Sequence, residues 1–178
     1  AYGDLKLRQE ESAREALTRV CSVIIGRYSN IYGPGQNLGK LQGLISRLAL
    51  STATRQPANI FVSLDTMRDY IYVDDAARLT LEWIEYAIRD SRSCLIVIIA
   101  TGEPVALGQL IRLMQDVSRS RVPVALGTHA SSSAQVLDLR MSPSTIPGQQ
   151  APTLMSLPAG IKRVYLDILQ RSQRESAI

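Results

Sequence analysis

The sequence holds one histidine, two cysteines, one phenylalanine and only three lysines. A lone His129, in the polar stretch "GTHASSS", all but excludes a histidine-built zinc centre and leaves one histidine for any acid–base role. No metal is expected. Cys21 and Cys94 lie in apolar runs and read as buried free thiols of a reducing compartment rather than a disulfide or metal pair. Phe61 is the only phenylalanine, and no basic–aromatic interleaving surrounds it, which argues against nucleic acid despite a net charge of +4. The longest apolar run, "CLIVIIA" at 94–100, is far short of the roughly 20 residues of a membrane helix. The opening stretch "AYGDLKLRQEESAREALTR" is polar and helical in pattern, unlike a secretory signal. No membrane partner is expected, and the expected location is cytoplasmic.

What is present is an alternation of helical and strand-like stretches, which means α/β with a mostly parallel sheet. Helices are expected over Asp4–Arg19, Leu38–Ser51, from Asp74 or Asp75 to about Arg89, over Leu107–Ser118 and over Gly160–Arg171. In the second, Leu38, Leu41, Leu44, Ile45 and Leu48 share one face; in the third, Ala77, Leu81, Ile84 and Ile88 are expected inward. "CSVIIGRYSNIYG" reads as one buried strand, and "NIFVSL", "DYIYV", "CLIVIIA" and "VPVAL" as others. The stretch 142–158, rich in Pro, Ser, Thr and Gly, reads as a loop.

The glycine-rich stretch "IYGPGQNLGKLQ" invites a phosphate-binding reading. A Walker A loop would need glycine where Pro34 stands and a hydroxyl where Leu41 follows Gly39-Lys40. A dinucleotide fingerprint begun at Gly33 meets Leu38 in place of its third glycine. In both, the mismatched residues are the functional ones, so the stretch reads as a tight turn with Pro34 fixing φ.

Three stretches carry candidate chemistry. Tyr2 and Lys6 stand four apart on one helical face, where an ammonium beside a phenol favours the phenolate. Such a tyrosine can take a proton from a sugar hydroxyl; an ordinary exposed helix face is the alternative. "RYSNIYGPGQ" ends a strand with Arg27 and Asn30, where open α/β sheets bind ligands, although a surface ion pair and a turn would also account for them. "RDYIYVDDAAR" places Arg68 where a guanidinium could meet an anion, and its Asp74-Asp75 pair is explained by helix capping better than by a metal.

In this order the three stretches resemble the extended short-chain dehydrogenases/reductases of the NAD-dependent epimerase/dehydratase family. "YGDLK" looks like the family's Tyr-x-x-x-Lys, and the other two like its R-x-x-N-x-Y-G-P-G and R-D-Y/F-x-Y-V-x-D-x-A segments. "ATGEPVALGQLIRLM" and "SLPAGIKRVYLDIL" are similar to later stretches, so the resemblance runs from Tyr2 to about Leu169. It implies a Rossmann-like fold with a smaller substrate-binding α/β subdomain. Residues 1–178 would be the catalytic-helix and substrate-binding part, with the dinucleotide-binding half absent. It implies removal of hydride from a sugar carbon of a nucleotide-diphosphate sugar to NAD, with NADP as alternative, and its return; the isolated chain is expected to be inactive. Tyr2 resembles the catalytic base. Lys6 resembles the residue that holds the nicotinamide ribose and lowers the Tyr2 pKa. Tyr28 and Ser29 would lie at the cofactor, and Asn30 and Arg68 at the substrate diphosphate. A homodimer through the helix carrying Tyr2 is implied as well. A keto-sugar reductase using NADPH and a non-catalytic interaction module are the alternatives. The sequence departs from the family in "FVSLDTM", which has no glycine where the family often has a glycine turn beside the nucleobase.

Overall fold

The computed structural model describes residues 2–39, 43–90, 94–127 and 136–175. Lys40, Leu41 and His129 lie outside the described residues. Among the described residues five helices and eight short strands follow one another: α1 (Tyr2–Leu17), β1 (Val23–Tyr28), β2 (Asn30–Tyr32), α2 (Leu44–Thr54), β3 (Ala58–Ile60), β4 (Met67–Arg68), β5 (Tyr70–Tyr72), α3 (Val73–Arg89), β6 (Cys94–Ile99), β7 (Val105–Ala106), α4 (Leu107–Ser118), β8 (Val124–Leu126) and α5 (Leu157–Glu175). The strands pair two by two. β1–β6, β2–β5 and β3–β8 are parallel, and β4–β7 is antiparallel.

The β-branched run before the glycine-rich turn is two strands, not the single one its composition suggests. Through Tyr28 the chain pairs with β6, ending at Tyr28↔Ile99, and the Ser29 N–H still donates to the Ile99 carbonyl at 3.0 Å. One residue later the Asn30 N–H donates to the Asp69 carbonyl at 3.1 Å, and β2 runs beside β5. The chain changes partner at Ser29. Such a switch at the carboxyl end of parallel strands opens a crevice of the kind in which α/β sheets hold ligands.

Two apolar clusters hold the elements. In the larger, Ile45, Leu48 and Ala49 of α2, Leu107, Leu110 and Met114 of α4, and Ile161, Val164 and Ile168 of α5 meet at helical spacing beneath Tyr32, Ile60 and Tyr72. Each fully buried Leu, Ile or Met here contributes about 1.5–3 kcal/mol relative to exposure. In the smaller, Ile71, Ala76, Trp83, Val97, Ile99 and Ile146 join α3 to β5 and β6.

Several expectations are corrected. On α3 the inward residues are Ala76, Trp83 and Ala87, whereas Ala77, Leu81, Ile84 and Ile88 are exposed. The helix carries two apolar stripes, and periodicity cannot choose between them; the side with two small alanines approaches the β-strands closely. Asp74 and Asp75 do not cap α3: its N-cap is Tyr72, with no side-chain bond. Asp75 instead pairs with Arg78 at 3.0 Å and accepts the Met155 N–H at 2.7 Å, tying the coil before α5 to the start of α3. The second helix starts at Leu44, six residues after Leu38, behind Gly43 with φ 91°. Cys21 is exposed and Cys94 half-buried, so neither is the core thiol its apolar neighbours suggest.

The glycine-rich turn is held from the far end of the chain. The Gly35 N–H, at φ 77°, donates to Asp167 of α5 at 3.0 Å, and Arg171 donates to the Gln36 carbonyl at 3.3 Å. The Gln36 side chain accepts the Ser46 hydroxyl at 2.7 Å. One of the N–H groups that a phosphate cradle would present is thus already used, as a tight turn requires.

Candidate functional site

Beside the Ser29 switch lies a cleft of about 580 Å³ into which Asn30, Gln36, Arg47, Phe61, Arg68 and Tyr70 face. The sequence-predicted pair Asn30 and Arg68 therefore meets in one place, although 38 positions separate the two in the chain. Asn30 comes from the first residue of β2 and Arg68 from the last of β4. The Asn30 side-chain amide donates to the Asp69 carbonyl at 2.8 Å, which fixes its orientation and leaves its second N–H unused by that bond. Arg68 is half-buried; its Nη1 donates to the Met67 carbonyl at 2.7 Å and the Leu137 carbonyl at 3.4 Å. The rest of its fork is available to an anion.

Between the cleft residues Arg68 and Tyr70, Asp69 is 1% exposed, the most buried charged group among the described residues. Its carboxylate accepts the Thr101 N–H at 3.0 Å, the Thr101 hydroxyl at 2.8 Å and the Gly102 N–H at 2.7 Å. The R-D-Y/F segment holds an aspartate at this position, and the distant 101–102 turn is what makes it a buried acceptor. Next to it, burial pushes the Tyr70 phenol up to about 12. Burial raises Tyr32 still further, and its ring meets Tyr72 edge-on at 5.7 Å. Neither phenol can serve as a base near neutrality.

Tyr28 and Ser29 stand at the carboxyl end of β1, directly before Asn30. The Thr80 hydroxyl gives its hydrogen to Ala76, so the Tyr28 hydroxyl donates to Thr80 at 2.8 Å and is committed to α3. Ser29 Oγ is different. It is the one buried side-chain nitrogen or oxygen among the described residues with no hydrogen-bond partner. Such an atom costs on the order of 1–3 kcal/mol unless something else satisfies it.

Tyr2 and Lys6 both belong to α1, one turn apart in the chain, with Lys6 exposed and the Tyr2 side chain outside the described residues. Among the described residues α1 contributes nothing to the lining of the cleft, so the structure brings Asn30 and Arg68 together and leaves Lys6 outside that lining. Arg27 does not enter the cleft either. It makes a two-pronged pair with Glu10 of α1, at 2.6 and 3.0 Å, and this hydrogen-bonded pairing holds the Glu10 carboxyl below the usual range. The ion-pair reading of Arg27 is the one the structure supports.

Parallel strand pairs under helices, with a polar cleft at a change of strand partner, define a Rossmann-like α/β protein. The NAD dependent epimerase/dehydratase family matches residues 1–94, more than half of the chain, and the chain belongs to that family. It is 27% identical over 116 residues to the dTDP-4-dehydro-6-deoxyglucose reductase of Escherichia coli, covering 64% of this chain and 35% of that protein. Among solved structures it is similar to MoeE5 in complex with UDP-glucuronic acid and NAD, at 25% identity and a TM-score of 0.65, over 85% of this chain and 48% of the other. It also shares its fold with UDP-glucose 4-epimerase from Thermotoga maritima, at 22% identity and a TM-score of 0.71, over 97% of this chain and 54% of that one. The chain thus spans about a third of the curated relative and about half of each solved structure. No helix among the described residues is long and apolar enough to cross a membrane.

Proposed function

We propose that this chain is the C-terminal, substrate-binding part of an NAD-dependent nucleotide-sugar epimerase or dehydratase. One observation carries the reading: an amide and a guanidinium, Asn30 and Arg68, line one cleft beside the switch at Ser29. A diphosphate is the anion such a pair fits, because the guanidinium fork meets phosphate oxygens two at a time and the amide supplies a further donor. Complexes of MoeE5 with UDP-sugars and NAD support that choice of ligand.

NAD, when bound, supplies the hydride acceptor. Ser29 Oγ, buried and without a partner at the end of β1, is the kind of atom a carboxamide would satisfy, so the residues present fit the cofactor. Tyr28 would contribute through its backbone, its hydroxyl being engaged by Thr80. Tyr2 would take the proton from the sugar hydroxyl. Lys6, one turn away, would bind the nicotinamide ribose and favour the phenolate. The pyrophosphate of the dinucleotide would be held by a preceding half, so this chain alone should bind NAD only marginally. A homodimer through the helix that carries Tyr2 goes with this reading. A second reading, reduction of a keto sugar, is favoured by the Escherichia coli reductase relative.

Calorimetric titration with UDP and dTDP, against uridine and thymidine, tests the ligand. A diphosphate-dependent constant is expected, and Arg68→Ala should weaken it by roughly ten- to a hundredfold, the worth of one charge-assisted contact of about 1.5–3 kcal/mol. Equal affinity for nucleoside and nucleoside diphosphate would remove the cleft from consideration.

A further inference from the structure

The buried carboxylate of Asp69 has no role in the function proposed so far. Taking a carboxylate out of water costs several kcal/mol, recovered only through well-made bonds. Asp69 has three, all to the Thr101–Gly102 turn that follows β6. The same residue's carbonyl receives both the backbone and the side-chain N–H of Asn30, at 3.1 and 2.8 Å. The Arg68 guanidinium is anchored two peptides earlier, on the Met67 carbonyl. The short span Met67–Asp69 therefore carries the anchor of each cleft donor, and the Asp69 carboxylate pins that span to the end of the β1–β6 pair.

We infer that Asp69 is the positioning residue of the diphosphate site. Its carboxylate holds the peptide to which Asn30 is bonded, and so sets the orientation of the Asn30 amide and its spacing from Arg68. Asp69 touches no ligand itself. A diphosphate read by two donors is sensitive to that spacing, whereas a nucleoside is not. The inference rests on the diphosphate reading of the cleft.

Asp69→Asn tests it with no change of shape. One carboxylate oxygen becomes an NH2 facing N–H donors, so at least one bond to the 101–102 turn is lost. UDP and uridine are titrated into the wild type, Asp69→Asn, Asn30→Ala and the double variant, with thermal melts to verify folding. Asp69→Asn is expected to weaken UDP by about fivefold, the equivalent of about 1 kcal/mol for one lost hydrogen bond, and leave uridine within about twofold. On the Asn30→Ala background the same change should cost much less, because the group it positions is gone. Unchanged UDP affinity, equal losses for UDP and uridine, or additive effects would each overturn the inference. Should Asp69→Asn not fold, Thr101→Val, which removes one donor to the carboxylate, decides in its place: weaker UDP with unchanged uridine supports it, and unchanged UDP overturns it. A wild type that does not bind UDP sinks the diphosphate reading and the inference together, whereas a wild type that binds with an indifferent Asp69→Asn sinks the inference alone.

Discussion

The Gly35 backbone N–H donates to an Asp167 carboxylate oxygen at 3.0 Å, across 132 positions of the chain. The bond joins the turn after β2 to the last helix, on which Arg171 holds the next residue, Gln36. Asp167→Ala should lower stability by about 1 kcal/mol, the usual net worth of such a bond. Urea unfolding would measure the loss, and amide exchange at Gly35 should accelerate. Protection at Gly35 equal to wild type would mean that the turn is held by Pro34 and its own backbone instead.

Gly160, on the first turns of α5, sits against the ring of Tyr32. An added Cβ would lie 2.8 Å from the ring Cζ and closer still to the hydroxyl. In a free helix Gly→Ala is favourable by up to about 1 kcal/mol. Here Tyr32 is 4% exposed and packed on Tyr72, so the ring has little room to yield, and overpacking costs about 1–3 kcal/mol. The second effect wins, and Gly160→Ala should lower the urea midpoint. A midpoint at or above wild type would show that Tyr32 can move aside.

The Tyr70 phenol carries a pH dependence. Its pKa is raised from 10.0 to about 12, by burial first and against a smaller opposing effect of Arg68. A raised value means the folded state holds the proton more tightly than the unfolded chain. The associated stability is fully present below pH 10 and is lost as pH rises toward 12. Tyr70→Phe removes the titration, so its stability should fall less steeply over that window. Parallel curves for the two proteins would show that Tyr70 does not ionise on unfolding.

The proposed base would be tested in a protein in which this chain is joined to the proposed dinucleotide-binding half. Tyr2→Phe deletes only the ionisable oxygen, so nucleotide-sugar binding should survive while kcat falls by about 10²–10⁴. Lys6→Met should cut kcat as well and move the acidic limb of the activity profile upward, since the phenol loses the charge that favours its ionised form. A wild-type kcat in Tyr2→Phe, or a limb that stays in place in Lys6→Met, returns "YGDLK" to an ordinary helix face.

Much of the site is legible in its motifs. The grouping of Asn30 with Arg68 is implied by the family resemblance of their segments, and both line one cleft. Arg27, flagged beside Asn30, illustrates the limit: its partner Glu10 lies 17 positions away on α1, and nothing in "RYSNIYG" points to it. Asp69 illustrates it more strongly. Its three bonds reach 32 and 33 positions along the chain, so the R-D-Y/F motif marks the position without showing what its carboxylate holds.

Local pattern sets what depends on neighbours in the chain. The bounds expected for α4, Leu107–Ser118, are those observed, because apolar residues at 107, 110, 111 and 114 define a single stripe. α3 has two stripes, and its inward side is settled by what lies beneath it, β1, β5 and β6, with Ala76 and Trp83 in one cluster with residues of β5 and β6. The run "VIIGRYSNIY" has strand chemistry throughout, but its division at Ser29 depends on two partners, Ile99 and Asp69, brought in from elsewhere. Propensity and spacing act over a few residues and are written in the order of side chains. Choice of partner is a competition among distant segments for the same hydrogen bonds and apolar surface, and it is resolved only when those segments meet.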